Sequence, residues 1–394
     1  LVDDIFNPDG QLRERVVPPF PIQKISTAWS MHDANWFFDF PTSAKKVAWF
    51  YEKTGGPSVD AVITLNPFVI ERLLDVTGPI EMPEYDTVIV SENFVDAIQY
   101  EVEEGDNKKE NKPKKILADF MPKFLEKLLS KKDNLPQIMR VLDESAKSKD
   151  IMAYSFDDKL QKIISDKGFS GGVIKGQDDY LAVVSSNING YKTDRMIDGS
   201  INLKSEIDAD GYVVNTLTIK KSHAGGSSQY DFYNKVNADY LRVYVPEGSM
   251  LIDAKGHTID KNKAPIDYEK LSFKKDDDVV ATESSMIIDE KTKTQIYKES
   301  GKTVFANWVF VSPKEDVEIV YKYRLPQRFD FGDEYGIVFQ KQSGSKMKLN
   351  WSAVFPANIR LFSQDEMIKS DKNTAELVSG FEADTTINLK MRGY

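Results

Sequence analysis

The sequence predicts an α/β domain in residues 1–175, with a sheet that carries helices on both faces, and an all-β sandwich in residues 176–394. Three observations support this fold class. The chain has 394 residues, which is too long for one small core and favours two domains. Helical and strand patterns alternate up to about Gly172. After Gly176, short segments with period-two patterning and many β-branched or aromatic residues take over.

Composition excludes several classes of protein. Hydrophobic residues make up 41% of the chain, which is enough to build cores. The net charge of -10 argues against a nucleic-acid-binding protein, whose surface would be basic. The sequence contains no cysteine, so disulfides, thiolate catalysis and zinc–thiolate sites are excluded. The histidines His32, His223 and His257 lie far apart and lack metal-ligand spacing.

The first clear helix in the pattern follows a polar loop. Thr42 or Ser43 is suited to be its N-cap, and Gly55 with Gly56 ends it. The apolar run AVITL, at residues 61–65, is short and bounded by polar residues. At this length a strand buried on both faces is favoured over a helix.

A second helix follows this strand and stops at Gly78-Pro79. Residues 114–168 are mainly helical in pattern, with Pro122 indicating a kink or a restart. This alternation of strands and helices is typical of a parallel or mixed sheet covered by helices.

The second half has many short strand patterns separated by turn residues. Pro246-Glu247-Gly248 and Ser343-Gly344 are examples of these turns. The sequence Asp208-Ala209-Asp210-Gly211 is compatible with a calcium loop, but a hairpin turn is favoured because strand patterns flank it. Regular short strands of this kind predict a β-sandwich.

The segment HDANWFFDFP, at residues 32–41, contains the strongest candidates for a site. Asp33, Asn35 and Asp39 offer the hard oxygen ligands that suit Mg²⁺. The alternative, which is favoured, is that they cap the following helix and bind loop amides. Lys45 and Lys46 lie at its first turns, where an anion could bind, although plain solvent exposure is favoured.

Aromatic residues lie within this segment and just before it, and two interpretations of them are open. They could cover a lipid tail, or, as favoured, form a core cluster. They are Trp29, Trp36, Phe37, Phe38 and Phe40.

Several motifs together resemble a known family. They are HDANWFFDFPTSAKK at residues 32–46, VDAVITLNP at 59–67, LLDVTGPI at 73–80 and NINGYKTD at 187–194. In these motifs the chain resembles domain-of-unknown-function family 4012 of bacterial envelope proteins. That family is distantly similar to the LytR–CpsA–Psr glycopolymer phosphotransferases, so the resemblance implies a LytR–CpsA–Psr-like sheet in the first domain.

The resemblance also implies roles for individual residues. Family members show Arg-Asp-x-Asn at the first motif, and here His32 occupies the arginine position. By this resemblance His32, Asp33 and Asp39 are the catalytic candidates, and Asp33 and Asp39 would hold Mg²⁺. A pyrophosphate would contact a second set of polar residues, namely Asn35, Lys45, Arg13 and Arg15. An imidazole lacks the bidentate fork of a guanidinium, which favours a function other than catalysis.

Two functions follow from this resemblance. The first is an extracytoplasmic cell-surface protein with a binding or structural role, and it is favoured. The alternative is a ligase that transfers a glycan phosphate from a polyprenyl pyrophosphate carrier to the cell wall or a surface acceptor. The expected partners are cell-wall glycopolymers or polyprenyl-linked glycans, and no nucleic acid.

No apolar run reaches the roughly 20 residues that span a bilayer. Members of the family that the motifs resemble carry an upstream membrane helix, so the resemblance implies a membrane anchor upstream of Leu1. Family members also have strands upstream of this point. We therefore expect the open side of the first sheet to be covered by an upstream N-terminal segment or by self-association.

Overall fold

A computed structural model defines the architecture of the chain. It describes residues 12–105, 114–130, 132–176, 178–260, 263–329, 334–363, 365, 367–377 and 381–393. Contacts divide the chain into two compact units. The first contains Ser30–Gly172 and the residues before Arg15, and the second contains Arg15–Trp29 and Val173–Tyr394. The sequence pattern placed the division between residues 175 and 176.

The segment Arg15–Trp29 was grouped with the first domain by sequence order, but the structure places it in the second unit. Val16 forms an isolated β-bridge with Lys274. The backbone N–H of Phe20 donates to Glu283 Oε1 at 2.6 Å. The prolines favour extended and turn conformations in this segment, which contains a short 3-10 helix at Ile22–Lys24. Its apolar residues Val16, Ile22 and Trp29 are buried in the second unit.

Six α-helices are described in the first unit. They are α1 Phe40–Lys53, α2 Pro67–Thr77, α3 Phe94–Glu103, α4 Lys115–Ser130, α5 Leu135–Lys147 and α6 Asp158–Asp166. The prediction that Thr42 or Ser43 caps α1 is wrong, because Asp39 is the N-cap and Pro41 lies in the first turn. Proline fits there because the first helical N–H groups have no partner within the helix. Pro122 lies inside α4, which continues through it.

Four short strands complete the first unit. They are β1 Ala61–Leu65, β2 Ile80–Met82, β3 Thr87–Ile89 and β4 Ile151–Ser155. β1 pairs antiparallel with β4, and β2 pairs antiparallel with β3. Within the described part of this unit, no parallel pair and no larger sheet occurs. The unit is therefore an α/β mixture with small antiparallel sheets.

The strand AVITL is present as β1, but the prediction that it is buried on both faces is wrong. Ile63 is 65% exposed and Leu65 is 55% exposed. One face of the β1–β4 pair packs on α1, where Val62 and Tyr154 join a small core with Phe40. On the other face, Ile63 and Leu65 are exposed, whereas Ile151 of β4 packs against the larger core of the unit.

The larger core of the first unit lies between helices and the β2–β3 pair. Residues of α4 at helical spacing, Ile116, Phe120 and Phe124, contribute its centre and are at most 1% exposed. Leu73 and Leu74 of α2 pack into the same cluster. Side chains three and four positions apart share one helix face, so α4 presents a continuous apolar stripe.

The second unit is built mainly of strands, with one α-helix, α7 Asp277–Glu283, in its described part. The strands are β5 Asp179–Val184, β6 Ile197–Ile207, β7 Tyr212–His223, β8 Asn237–Pro246, β9 Met250–Lys255, β10 Ile287–Ile288, β11 Gln295–Glu299, β12 Lys302–Val311, β13 Asp316–Arg328, β14 Glu334–Phe339, β15 Lys348–Val354, β16 Ile359–Phe362, β17 Ile368–Asp371, β18 Thr374–Leu377 and β19 Thr385–Gly393.

These strands form two large sheets. The order in the first is β10-β11-β12-β8-β5-β14-β19-β16, and in the second β17-β18-β15-β6-β7-β13-β9. One hydrophobic core contains residues of both sheets, so the predicted sandwich-like arrangement is confirmed. The pairs β14–β5 and β15–β6 are parallel and the other pairs are antiparallel.

Burial along individual strands follows from this arrangement. In β7, Val213, Leu217 and Ile219 point to the core and alternate with partly exposed residues. β8 is buried almost throughout. Its sheet is covered on the outer side as well, where Lys24 of the segment Arg15–Trp29 lies over the ring of Trp308, 4.3 Å from its centroid.

The turn between β6 and β7 is the predicted hairpin. Asp208 Oδ1 accepts hydrogen bonds from the backbone N–H groups of Asp210 at 3.0 Å and Tyr212 at 2.9 Å. Gly211 has φ +86°, a conformation that glycine adopts at little cost. The carboxylate thus serves the turn.

Candidate functional site

The candidate loop lies in the first unit between a short 3-10 helix, Met31–Asp33, and helix α1. His32 contacts Ser30 through Nδ1 at 2.9 Å. Its Nε2 lies 3.1 Å from Asp33 Oδ2. The side chains of His32 and Asp33 are 34% and 20% exposed. The structure therefore brings these two candidates into direct contact.

Asp39 has a defined structural role at the start of α1. Its Oδ2 accepts a hydrogen bond from the backbone N–H of Thr42 at 3.2 Å and another from Thr42 Oγ1 at 2.7 Å. The backbone N–H of Phe40 donates to the carbonyl of Gly171 at 3.3 Å. The carboxylate of Asp39 satisfies N–H groups that have no partner within the helix.

The candidates for contact with a pyrophosphate are exposed side chains. Asn35 is exposed. Lys45 is exposed, and its Nζ lies 5.5 Å from the centroid of the Tyr154 ring. Arg13 and Arg15, both exposed, are assigned to different units.

The aromatic residues near the loop are mostly core residues. Phe37 and Phe40 are 6% and 4% exposed and belong to the first unit, whereas the fully buried Trp29 belongs to the second. Trp36 and Phe38 are partly exposed. This burial agrees with the favoured core reading of Phe37 and Phe40.

The arrangement does not assemble a multi-ligand metal centre. Among the side chains that the structure describes, no three histidines, aspartates or glutamates are grouped closely enough to hold a metal ion. Of the two predicted Mg²⁺ ligands, Asp39 caps a helix and Asp33 contacts His32.

A buried polar cluster in the second unit was not predicted from the sequence. Lys221 of β7 and Asp239 of β8 form an ion pair whose side chains are 3% and 1% exposed. The backbone N–H of Ser186 donates to Asp239 Oδ1 at 2.7 Å. Close by, Asn237 Nδ2 donates to Asp194 Oδ1 at 2.8 Å, and burial raises the pKa of Asp194.

The motif NINGYKTD contributes to this cluster. Residues 187–194 lie entirely within the second unit, and Asp194 accepts the hydrogen bond from Asn237. A sequence signal did exist, because Lys221 occupies a position of β7 that the period-two pattern directs to the core.

A second buried group was also missed. Asp179 is fully buried at the start of β5, and its Oδ2 accepts hydrogen bonds from Tyr335 at 2.6 Å and Asn215 at 2.9 Å. The backbone N–H of Tyr180 donates to Oδ1 at 2.7 Å. Burial raises the pKa of the Asp179 carboxyl to about 6, although the three hydrogen bonds act in the opposite direction.

Within the described ranges, no helix combines the length and apolar character needed to cross a membrane.

A comparison with protein families gives one match. Residues 14–102 match DUF4012, described as a protein of unknown function. This match confirms the resemblance that the motifs between residues 32 and 80 indicated. It covers part of the chain and extends from the segment before β1 to α3. A search of the curated proteins found no match.

Solved structures give only distant likenesses. A candidate nutrient binding protein from Legionella pneumophila subsp. pneumophila str. Philadelphia 1 is 8% identical, with a TM-score of 0.29 over 54% of this chain and 73% of that chain. An M1 zinc metallopeptidase from Deinococcus radiodurans is 7% identical, with a TM-score of 0.21 over 50% of this chain. The chain spans 41% of that metallopeptidase.

Proposed function

We propose that this chain is an extracytoplasmic protein of the bacterial cell envelope that acts by binding, or as a structural component, at the cell surface. The observation that carries the proposal is that both candidate carboxylates make contacts within the loop and the start of α1. Asp39 accepts two hydrogen bonds from Thr42 and starts α1, and Asp33 contacts His32. Both are engaged in holding the loop.

The groups that a phosphotransferase needs differ from the residues of this loop, and this difference supports a binding or structural role. Mg²⁺ prefers near-octahedral coordination by oxygen atoms, and a pyrophosphate is best held by the bidentate fork of arginine. His32 stands where the family has an arginine, and its ring lies between Ser30 and Asp33. The described loop thus offers a hydrogen-bonded surface, and that arrangement favours binding over phosphoryl transfer.

The proposed partner is a cell-wall glycopolymer or a polyprenyl-linked glycan. The support for an envelope partner is the resemblance of the motifs to a family of bacterial envelope proteins. The family model that matches residues 14–102 itself assigns no function. The strand-rich second unit adds a rigid scaffold, since its two sheets share one core. Ligand-binding residues are commonly positioned on such scaffolds by loops.

Sedimentation with isolated cell walls tests the proposal. The chain is mixed with walls of the bacterium that carries the gene, either intact or stripped of their covalently attached glycopolymers. We expect the chain to sediment with intact walls and to remain largely in solution with stripped walls. Equal sedimentation with both preparations, or with neither, would contradict the proposed partner.

The alternative is a glycopolymer ligase with a LytR–CpsA–Psr-like core. One observation favours it: Asp33 retains 20% exposure and pairs with a histidine at the surface, so a ligand could displace that contact. Transfer of a labelled glycan phosphate from a polyprenyl pyrophosphate to wall fragments in the presence of Mg²⁺ would support the ligase. No transfer above that of heat-denatured protein would leave binding as the function.

A further inference from the structure

The ion pair of Lys221 and Asp239 lies inside the core of the second unit. Lys221 is on β7 and Asp239 is on β8, and these strands belong to different sheets. The core-facing residues two positions away on each strand, Ile219 and Leu241, are fully buried. The pair therefore connects the two sheets from within an apolar layer.

Two charges are costly at this position. An ammonium and a carboxylate lose their hydration when they are buried, and their mutual attraction does not always repay that loss. The side chains of Lys221 and Asp239 are only 3% and 1% exposed, so water solvates neither of them. Transfer of one proton from the ammonium to the carboxylate gives a neutral amine beside a neutral carboxyl group. These two groups are the reactants of amide formation.

We propose that Lys221 and Asp239 condense to an intramolecular amide that joins the two sheets covalently. Lys221 Nζ attacks Asp239 Cγ, the bond between Cγ and Oδ2 breaks, and Oδ2 leaves as water. Of the three protons on the ammonium, one remains as the amide N–H and two leave with Oδ2. The reaction therefore balances without an oxidant, a cofactor or a further reactant.

The surroundings already supply hydrogen-bond partners for the product. The backbone N–H of Ser186 donates to Asp239 Oδ1 at 2.7 Å, and Lys221 Nζ donates to Ser185 Oγ at 3.0 Å. In the amide, Oδ1 becomes the carbonyl oxygen and Nζ carries the N–H, so both groups keep these partners. A buried amide that lacked them would be unfavourable.

Asp194 is the candidate for carrying protons during the reaction. Its Oδ1 accepts a hydrogen bond from Asn237 Nδ2 at 2.8 Å, and Asn237 lies two positions before Asp239 on the same face of β8. Burial raises the pKa of Asp194, the charge of Asp239 acts in the same direction, and the charge of Lys221 acts in the opposite direction. A buried carboxyl group next to both reactants can accept a proton from the attacking amine and return it to the leaving oxygen.

The neighbouring Lys220 provides a matched comparison on the same strand. It forms an ion pair with Glu318 at 3.5 Å, and the two side chains are 60% and 54% exposed. Water solvates both of these charges, so we expect this pair to remain ionic. Amide formation at Lys221 but not at Lys220 would follow from burial.

Mass spectrometry of the intact chain without substitutions tests the inference. We expect a mass lower by one water than the mass calculated from the expressed sequence. After denaturation, chymotrypsin cuts the chain after Tyr230, Tyr233 and Tyr240, and one product should contain the peptide with Lys221 joined to the peptide with Asp239. A mass equal to the calculated value, or a loss of water located at other residues, would overturn the inference.

Arginine variants of the two lysines provide the controls. Lys221→Arg should have its full calculated mass, because arginine keeps the positive charge but has no amine to condense. Lys220→Arg should still lack one water. Loss of one water in Lys221→Arg, or no loss in Lys220→Arg, would contradict an amide formed by Lys221.

The role of Asp194 has its own test. Asp194→Asn keeps an oxygen that can accept from Asn237 but cannot carry a proton. We expect this variant to condense more slowly, on the order of a hundredfold, so that freshly purified protein contains chain of the full calculated mass. Asp194→Glu should restore condensation. Complete condensation in fresh Asp194→Asn would overturn the assignment of Asp194 as the proton carrier.

Discussion

Asp39 shows how a candidate catalytic residue can be explained by local structure. Its Oδ2 accepts bonds from both the backbone N–H and the hydroxyl of Thr42 at the start of α1. The sequence analysis weighed capping against Mg²⁺ binding for this loop and favoured capping. The structure assigns the cap to Asp39, three residues before the predicted cap at Thr42.

Removal of this cap should destabilise the first unit. Asp39→Ala should lower the free energy of unfolding by roughly 0.5–2 kcal/mol, because the first-turn N–H loses its acceptor. Asp39→Asn should change it much less, since asparagine caps helices about as well as aspartate. Urea unfolding of the two variants measures the difference. Equal losses in both would argue for a role of the negative charge itself.

Asp179 gives the second unit a predictable pH dependence. Its folded pKa, about 6, lies above the ordinary value of 3.8. The folded state therefore binds this proton more tightly than the unfolded state, so the stability from this group is present below pH 4 and is lost as pH rises through about 6.

Asp179→Asn should remove this contribution. Between pH 4 and 7, the unmodified protein should lose more stability with rising pH than the variant. The two losses should differ by on the order of 2–3 kcal/mol at most. Thermal unfolding of both proteins at each pH measures this difference. The comparison with the unmodified chain is needed because burial also raises the pKa of Glu283 to about 6. Parallel curves for the two proteins would show that Asp179 does not titrate in this range.

At the scale of single elements, the sequence predicted strands and helices better than their burial. Period-two patterning in the second half indicated the strands of the sandwich, because one face of each strand must be apolar. β1 was predicted as a strand for its apolar run but not as an edge. A short, mostly apolar run such as AVITL does not reveal how many neighbours the strand will have.

The apolar sequence of β1 suggests that a charge placed in this strand would destabilise the protein strongly. Because β1 is exposed, we expect a small effect. Ile63→Asp should change the free energy of unfolding by less than about 0.5 kcal/mol, as is usual for exposed positions. Leu74→Ala, in the buried core of α2, should lower it by about 2–5 kcal/mol. Chemical denaturation of the two variants checks this contrast. A large loss in Ile63→Asp would mean that β1 is covered.

At the scale of the whole molecule, sequence order and spatial grouping disagree in one segment. Arg15–Trp29 lies between the two parts of the first unit in the chain but belongs to the second unit, where Phe20 donates to Glu283 and Lys24 lies over Trp308. Such long-range packing has no local sequence signal. For the ion pair of Lys221 with Asp239, the period-two pattern directs Lys221 to the core, but no local signal identifies its partner on another strand.

The contribution of the segment Arg15–Trp29 to the stability of the second unit should be measurable. A fragment comprising residues 173–394 should melt at a lower temperature than the second unit in the intact chain, because the outer face of its sheet loses the cover that contains Val16 and Ile22. A synthetic peptide of residues 15–29, added in excess, should raise the melting temperature again by mass action. No effect of the peptide would show that the segment contributes little to this unit.

Calorimetry with Mg²⁺ and a polyprenyl pyrophosphate analogue tests the central claim that the loop from His32 to Asp39 is structural. The account predicts no metal-dependent binding to the unmodified chain, and the same null titration for Asp33→Ala and Asp39→Asn. Tight binding that requires Mg²⁺ and that Asp33→Ala abolishes without unfolding the protein would contradict the account and support the ligase.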